Sequence, residues 1–411
     1  MTALRVLTNP AVTPLLAARL ISSAGVGFGQ VAFVWGMKTN GYSAGAISLV
    51  AACKAIPALL ILAGGVLGDR FKRHHVLAAA EVTASVTWVA IGGCLLNGHT
   101  PTGLLCALAL VSGTAYFIFL PTVRSITADL LPSDQRHCAN ALVGQTEAVG
   151  ALIGLTVAGV VVSSVGAVPA AVLKGVMCLA SAALLLRLKI SRRRIATPGP
   201  LTELAAGWKH FVPHRWMWAM ALQFTTAIIA TATLVEIIGP VFMDDHHRGA
   251  KTWGIVSACE ALGAVAGALL AVRWKPRRPI PVAVVLLMFA GAPPLAIGAG
   301  APSAVIAAGM FASGIAKAVY MVLWVTELQR TLPIETIARV SGWNFVPAYA
   351  LAPIALLLVG PLVTADGPSD AALVIVASVF ASTFAAALLL LATSRRPGGR
   401  EAGQSEALAV P

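Results

Sequence analysis

The chain has 411 residues, 58% of them hydrophobic and only 11% charged, and it carries a net charge of +13. Soluble domains are about 25% charged and about 45–50% apolar, so these values, with a mean hydropathy of +0.85, exclude a soluble domain and point to an integral membrane protein. The basic balance would suggest nucleic acid in a soluble chain. Here the bases stand in connections between apolar runs, the pattern of topology signals and of contact with membrane lipids, so no nucleic-acid partner is expected.

A bilayer-spanning helix needs about 20 mostly apolar residues. Twelve such runs can be marked, at about 12–36, 44–67, 76–97, 102–126, 139–163, 166–188, 216–240, 253–274, 280–299, 303–326, 339–362 and 371–393. They are too long, and alternate too little, for membrane strands. The fold class is therefore an all-α integral membrane protein with twelve transmembrane helices. The first run is too long for a cleavable signal and lacks a small-residue cleavage site, so it is expected to remain as a helix.

One set of connections carries Arg70, Lys72, Arg73, Arg136, Lys189, Arg192, Arg193, Arg194, Lys209, Arg273, Lys275, Arg277, Arg278, Arg330, Arg395, Arg396 and Arg400. The opposite set carries only Lys38, Arg248 and Lys251. Positive charge stays on the cytoplasmic side, which places both termini in the cytoplasm of a multi-pass protein of the inner (plasma) membrane.

The longest connection divides the runs six and six. The units expected are 1–188, a bundle; 189–215, a linker; 216–393, a second bundle; and 394–411, a disordered tail. The linker opens on the basic KISRRR. It continues as LTELAAGWKHF, which can form an amphipathic helix with Leu201, Leu204, Trp208 and Phe211 toward lipid. The two halves repeat. Gly64 to Lys72 (GGVLGDRFK) is echoed 203 residues on by Gly267 to Lys275 (GALLAVRWK), and Leu131 to Asn140 (LPSDQRHCAN) is echoed 201 residues on by LPIETIARVS from Leu332. Parallel six-helix repeats, with a substrate site between them, are a transporter architecture.

The loop GVLGDRFKR, 65–73, resembles the signature between helices 2 and 3 of the major facilitator superfamily, with Lys72 where the family has a late glycine. AARLISSAG, LLPSDQRHCANAL and LQRTLPIETIARVSGW extend the likeness over about 10–390, toward the bacterial multidrug, macrolide and siderophore exporter branch. Two features depart from it. Residues 154–159 read GLTVAG, without the proline of many drug antiporters, and Val26 stands where branch members often have an acid. The resemblance implies a secondary active exporter working by alternating access between two pseudo-symmetric bundles. Its cargo would be a hydrophobic or amphipathic small molecule (a drug, antibiotic or natural product), exchanged for protons by a monomer without cofactors. An importer or lipid transporter of the same fold and a transport-inactive membrane sensor are the alternatives.

In the family, the loop's acid holds the inner ends of the bundles together by meeting the start of helix 11, where a helix N-terminus carries about half a positive charge. That role falls here to Asp69, with Arg339 at the helix start, Arg70 beside it, and a second contact from Arg73 to Asp129.

Ionisable residues inside a membrane are functional candidates by default. The apolar runs hold Arg19, Lys54, Glu147, Lys174, Glu236, Glu260 and Lys317, with Glu81 nearer an inner end. The near balance of sign suggests pairs. The family fold puts Arg19, Glu147, Glu236, Glu260 and Lys317 in reach of the central path, and Lys174 on an outer helix. A proton-coupled exporter needs a carboxylate that loads a proton on one side and releases it on the other; Glu147, Glu236 and Glu260 are the candidates. Gln30, Tyr116, Gln145, Gln223, Tyr320, Trp324, Trp343 and Asn344 are the candidate cavity residues, since aromatics with a few polar groups suit a large apolar ligand.

The six cysteines form no CxxC pair and read as small buried hydrophobes. Asp244-Asp245-His246-His247 lacks the spacing of a preformed metal site and reads as a solvated loop. Without an HExxH, a Walker loop or a nucleophile elbow, the chain is not expected to be an enzyme or an ATP-driven pump.

Overall fold

The structure is a computed structural model that describes residues 12–60, 72–98, 100–130, 133–188, 200–274 and 276–394. Ten helices there are long and apolar enough to cross a membrane. The longest, Arg339–Ala392, holds two of the runs read from the sequence, separated by Gly367 at φ 88°. Ala44–Ala58 carries the second run as far as the described residues reach.

The first six helices are α1 (Thr13–Thr39), α2 (Ala44–Ala55, continued by a 3-10 turn, Ile56–Leu60), α3 (Arg73–Asn97), α4 (Thr102–Leu130), α5 (Ser133–Val165) and α6 (Ala167–Leu186). A short α7 (Pro200–Phe211) follows. Then come α8 (Arg215–Asp245), α9 (Gly249–Arg273), α10 (Pro279–Gly298), α11 (Ser303–Thr331), α12 (334–366) and α13 (368–394). α1 lies along α5 and α6, and α3 along α4 and α6; α9 and α10 lie along α11.

Small residues set these packings, as expected where no hydrophobic force acts between helices. A Cβ on Gly150 would come within 2.6 Å of the Leu20 carbonyl oxygen, and one on Gly154 would strike the backbone of Ala24. The GxxxG of α5 thus seats α1 directly on the backbone.

Buried apolar side chains form three clusters among the described residues. One draws on both sides of the linker: Phe33, Trp35, Ile47 and Leu105 pack with Ile238, Phe242, Trp253 and Val359. The others stay on one side each. Leu15, Leu77, Phe119 and Leu185 belong to one, and Phe211, Met217, Tyr320 and Trp324 to the other. The shared cluster surrounds the end where α1 and α8 finish and α2 and α9 begin. Near that end a Cβ on Gly254 would lie 2.5 Å from the Leu155 carbonyl oxygen and 2.9 Å from Gly159 Cα. The Ser48 hydroxyl donates to the Leu356 carbonyl. Lys38 Nζ meets Asp244 Oδ2 at 3.0 Å and Asp245 Oδ1 at 2.9 Å. Asp244 and Asp245, expected in a solvated loop, are therefore the end of α8, and an amine at the end of α1 engages both acids; His246 and His247 follow as an exposed turn.

The amphipathic helix expected at 201–211 exists as α7; Trp208 stays 39% exposed while Phe211 turns into the protein, and the side chains of Leu201 and Leu204 lie outside the described residues. Phe211 is buried at 2% exposure. Trp208 packs against Trp343 with centroids 4.4 Å apart, and Phe211 against Trp218 at 5.1 Å. Rings gain about 0.5–1.5 kcal/mol from such pairing beyond burial, which lipid tails do not supply. Gly207 sits so close that a Cβ there would lie 2.7 Å from the Arg339 carbonyl carbon, so α7 rides on the start of α12.

Candidate transport site

A cavity of about 320 Å³ lies between the two sets of helices, at the low end of the volume of ligand pockets. Val26, Gln30, Lys54, Trp88, Ser112, Tyr116, Phe117 and Lys174 line it from one side; Ile228, Glu236, Tyr349 and Leu356 line it from the other. Phe117 and Tyr349 meet edge to face across it, 6.0 Å between centroids.

Glu236 stands in a local irregularity that the sequence explains. Pro240, four residues on, has no N–H to give the Glu236 carbonyl. The helix widens there into a π turn over Leu234–Ile238, in which the Gly239 N–H bonds back to the Leu234 carbonyl. Single π turns often mark functional sites. This one presents Glu236 to the cavity, where Oε1 lies 2.6 Å from Lys54 Nζ. Lys54 precedes the 3-10 turn of α2 and lies 5.9 Å from the Phe33 ring centroid. Glu236 Oε2 has no hydrogen-bond partner among the described residues.

Four of the other intramembrane charges pair within one side. Arg19 NH2 meets Glu147 Oε2 at 2.7 Å, joining α1 to α5, with the guanidinium 5.6 Å from the Phe119 ring. Lys317 bridges to Glu260, joining α11 to α9, and donates to Thr231 Oγ1 at 2.8 Å. Of the three candidate carboxylates, Glu236 alone lines the central cavity and pairs across the two sides. Glu81 is buried at 4% exposure, and its Oε1 accepts from the Ser181 hydroxyl at 3.1 Å.

Of the candidate cavity residues, the structure places Gln30 and Tyr116 on the cavity. Gln223, Tyr320, Trp324 and Asn344 are instead buried together among α8, α11 and α12, each at 1% exposure or less. There the Tyr320 hydroxyl donates to the Met220 carbonyl at 2.8 Å and lies 3.3 Å from Asn344 Oδ1. Trp343 belongs to the aromatic group under α7, and Gln145 is exposed. Of the latch residues, Asp69 and Arg70 lie outside the described residues, as does the side chain of Asp129, while Arg73 opens α3 and Arg339 lies in the second turn of α12 beneath α7. Sequence reasoning missed Lys54 and Lys174 as cavity residues. Pro57 and Pro240 were the signals nearest to the site, each marking an irregular turn beside it.

Membrane-crossing helices arranged in two sets, joined around one end and enclosing a charged, aromatic cavity, define the architecture of a membrane transporter. The chain belongs to the Major Facilitator Superfamily, whose family model matches residues 15–355. It is thus a multi-pass secondary transporter, not an enzyme. Among relatives, the multidrug efflux pump Tap of Mycobacterium tuberculosis is 24% identical over 370 residues, 86% of this chain and 87% of that protein. The enterobactin exporter EntS of Escherichia coli is 24% identical over 347 residues, 82% of this chain and 81% of that one. In fold, the chain matches the crystal structure of the nucleoside transporter NupG with a TM-score of 0.74 at 12% identity, over 93% of this chain and 99% of that one.

Proposed function

We propose that the protein exports amphipathic small molecules from the cytoplasm by alternating access, driven by proton antiport. The observation that carries this reading is the Lys54–Glu236 pair, 2.6 Å long, inside the cavity and across the two bundles. The functions of Tap and EntS support the direction of transport.

With the termini in the cytoplasm, the end held by Lys38, Gly254 and Ser48 faces outward and is shut. The separate apolar clusters of the two bundles at the other end agree with an inward-facing state. Cargo entering from the cytoplasm would turn the cavity outward, where a proton from outside would neutralise Glu236 and release Lys54 as the cargo leaves. Return to the inward-facing state and loss of the proton to the cytoplasm would restore the pair. On this scheme the bundles 1–188 and 216–393 rock as units about the linker 189–215. In the opposite state, Asp69 in the 65–73 loop meets Arg339 and the start of α12, with Arg70, Arg73 and Asp129 around that contact.

The test is efflux of a panel of amphipathic dyes from bacterial cells carrying the protein. Efflux that collapses with a protonophore supports the reading. Uptake in the same assay, or binding without flux, overturns it in favour of an importer or a sensor.

A further inference from the structure

We infer that the cavity selects cargo bearing an acidic group, a carboxylate or phenolate, and that Lys174 is the residue that meets it. The inference deepens the export reading and rests on it for the word cargo.

Lys174, on α6, was expected on an outer helix rather than among the residues of the central path. It is 8% exposed and lines both the central cavity and a smaller one beside it. Arg19, Lys38, Lys54 and Lys317 each hold a carboxylate. Lys174 has no ion-pair partner among the described residues; its Nζ rests 5.0 Å from the Trp88 ring centroid. Glu81, which shares the smaller cavity, is engaged by Ser181. A cation resting on an aromatic face with no ion pair among the described residues, in the membrane interior, retains most of the cost of its lost hydration. An anionic ligand would offset it.

The surroundings fix Lys174 in place. Trp88 Nε1 donates to Ser112 Oγ at 3.0 Å, which sets the ring. Gly29 makes room for both side chains, since a Cβ there would lie 2.6 Å from Lys174 Cδ and 2.7 Å from the Trp88 ring. Gln30, the next residue, also lines the cavity, and its buried Nε2 has no hydrogen-bond partner among the described residues. The cavity lining therefore carries two amines and one carboxylate, and that carboxylate is already taken by Lys54. Two unused donors, Lys174 Nζ and Gln30 Nε2, suit an anionic oxygen. Tyr116, Phe117 and Tyr349 suit an aromatic body.

The experiment measures fluorescence anisotropy with the full chain purified in detergent. The probes are fluorescein, which bears a carboxylate and a phenolate, and a cationic rhodamine ester on the same ring system. Wild type is expected to bind fluorescein more tightly. Lys174→Met, which keeps the volume and removes the charge, is expected to weaken fluorescein about tenfold or more, the loss of one charge-assisted contact. Lys174→Arg is expected to stay within about threefold of wild type, since it keeps the cation. Preference of the wild type for the ester overturns the inference, and needs no variant. Unchanged fluorescein affinity in a Lys174→Met protein that melts like wild type also overturns it. Binding is read without a gradient. Fluorescein binding that depends on Lys174, in a protein that moves no dye in proteoliposomes, overturns the export reading and keeps this one.

Discussion

Lys54 on α2 and Glu236 on α8 form a 2.6 Å ion pair that crosses from one bundle to the other through the cavity. The two side chains are 28% and 15% exposed. Removing one partner of a mostly buried pair leaves a charge uncompensated, at a cost of about 3 kcal/mol. Lys54→Met and Glu236→Gln are each expected to lower the melting temperature of the purified protein. The double variant is expected to melt above both single ones, since it leaves no orphan charge. Additive losses in the double variant would show that the pair does not exist in the membrane.

The closure around the end where α1 and α8 finish depends on backbone contact between α5 and α9. Gly254→Val places side-chain atoms where the Leu155 carbonyl now lies. Overpacking of this kind costs about 1–3 kcal/mol, enough to shift a two-state equilibrium about tenfold. Spin labels at Asn40 and His247 are expected to move apart in this variant. Lys38→Ala is expected to shift the same distance by less. Its partners Asp244 and Asp245 are nearly half exposed, so those ion pairs contribute about 1 kcal/mol or less after solvent screening. An unchanged label distance in Gly254→Val would separate the α5–α9 contact from the conformational state.

Asp69→Asn is expected to cut export on the order of tenfold, the value of one charge-assisted contact, while membrane expression is kept. Its twin segment, 267–275, has Val272 at the matching place. The bases are thus shared by both copies and explained by topology, whereas the acid is not. Normal export in Asp69→Asn would remove the latch from the scheme.

The buried polar group in the second bundle is expected to act on stability. Tyr320→Phe deletes the donor to the Met220 carbonyl and should cost about 1 kcal/mol, read as a lower melting temperature. A variant as stable as wild type would mean that this hydrogen bond contributes nothing net.

The all-helical membrane fold and the family were legible in the sequence, because membrane helices announce themselves by length and apolarity. Which face of each helix meets the cavity was not. Tyr320, Asn344 and Lys174 sit in runs that are apolar all round, so no stripe distinguishes a protein-facing side from a lipid-facing or cavity-facing one. Trp208 and Phe211 show the same limit, since an aromatic face fits lipid and Trp343 equally well by composition. The pairing of Lys54 with Glu236, 182 residues apart, is a property of how the bundles meet. The π turn came closest to being readable, because Pro240 four residues after Glu236 removes a specific hydrogen bond.

The most direct measurement is proton flux from proteoliposomes containing wild type, Glu147→Gln, Glu236→Gln or Glu260→Gln, triggered by adding the dye exported best by cells. Dye-induced proton flux is expected in wild type and in the Glu147 and Glu260 variants, and its loss is expected in Glu236→Gln alone. Wild-type flux in Glu236→Gln would contradict the assignment of proton coupling to the pair that joins the bundles.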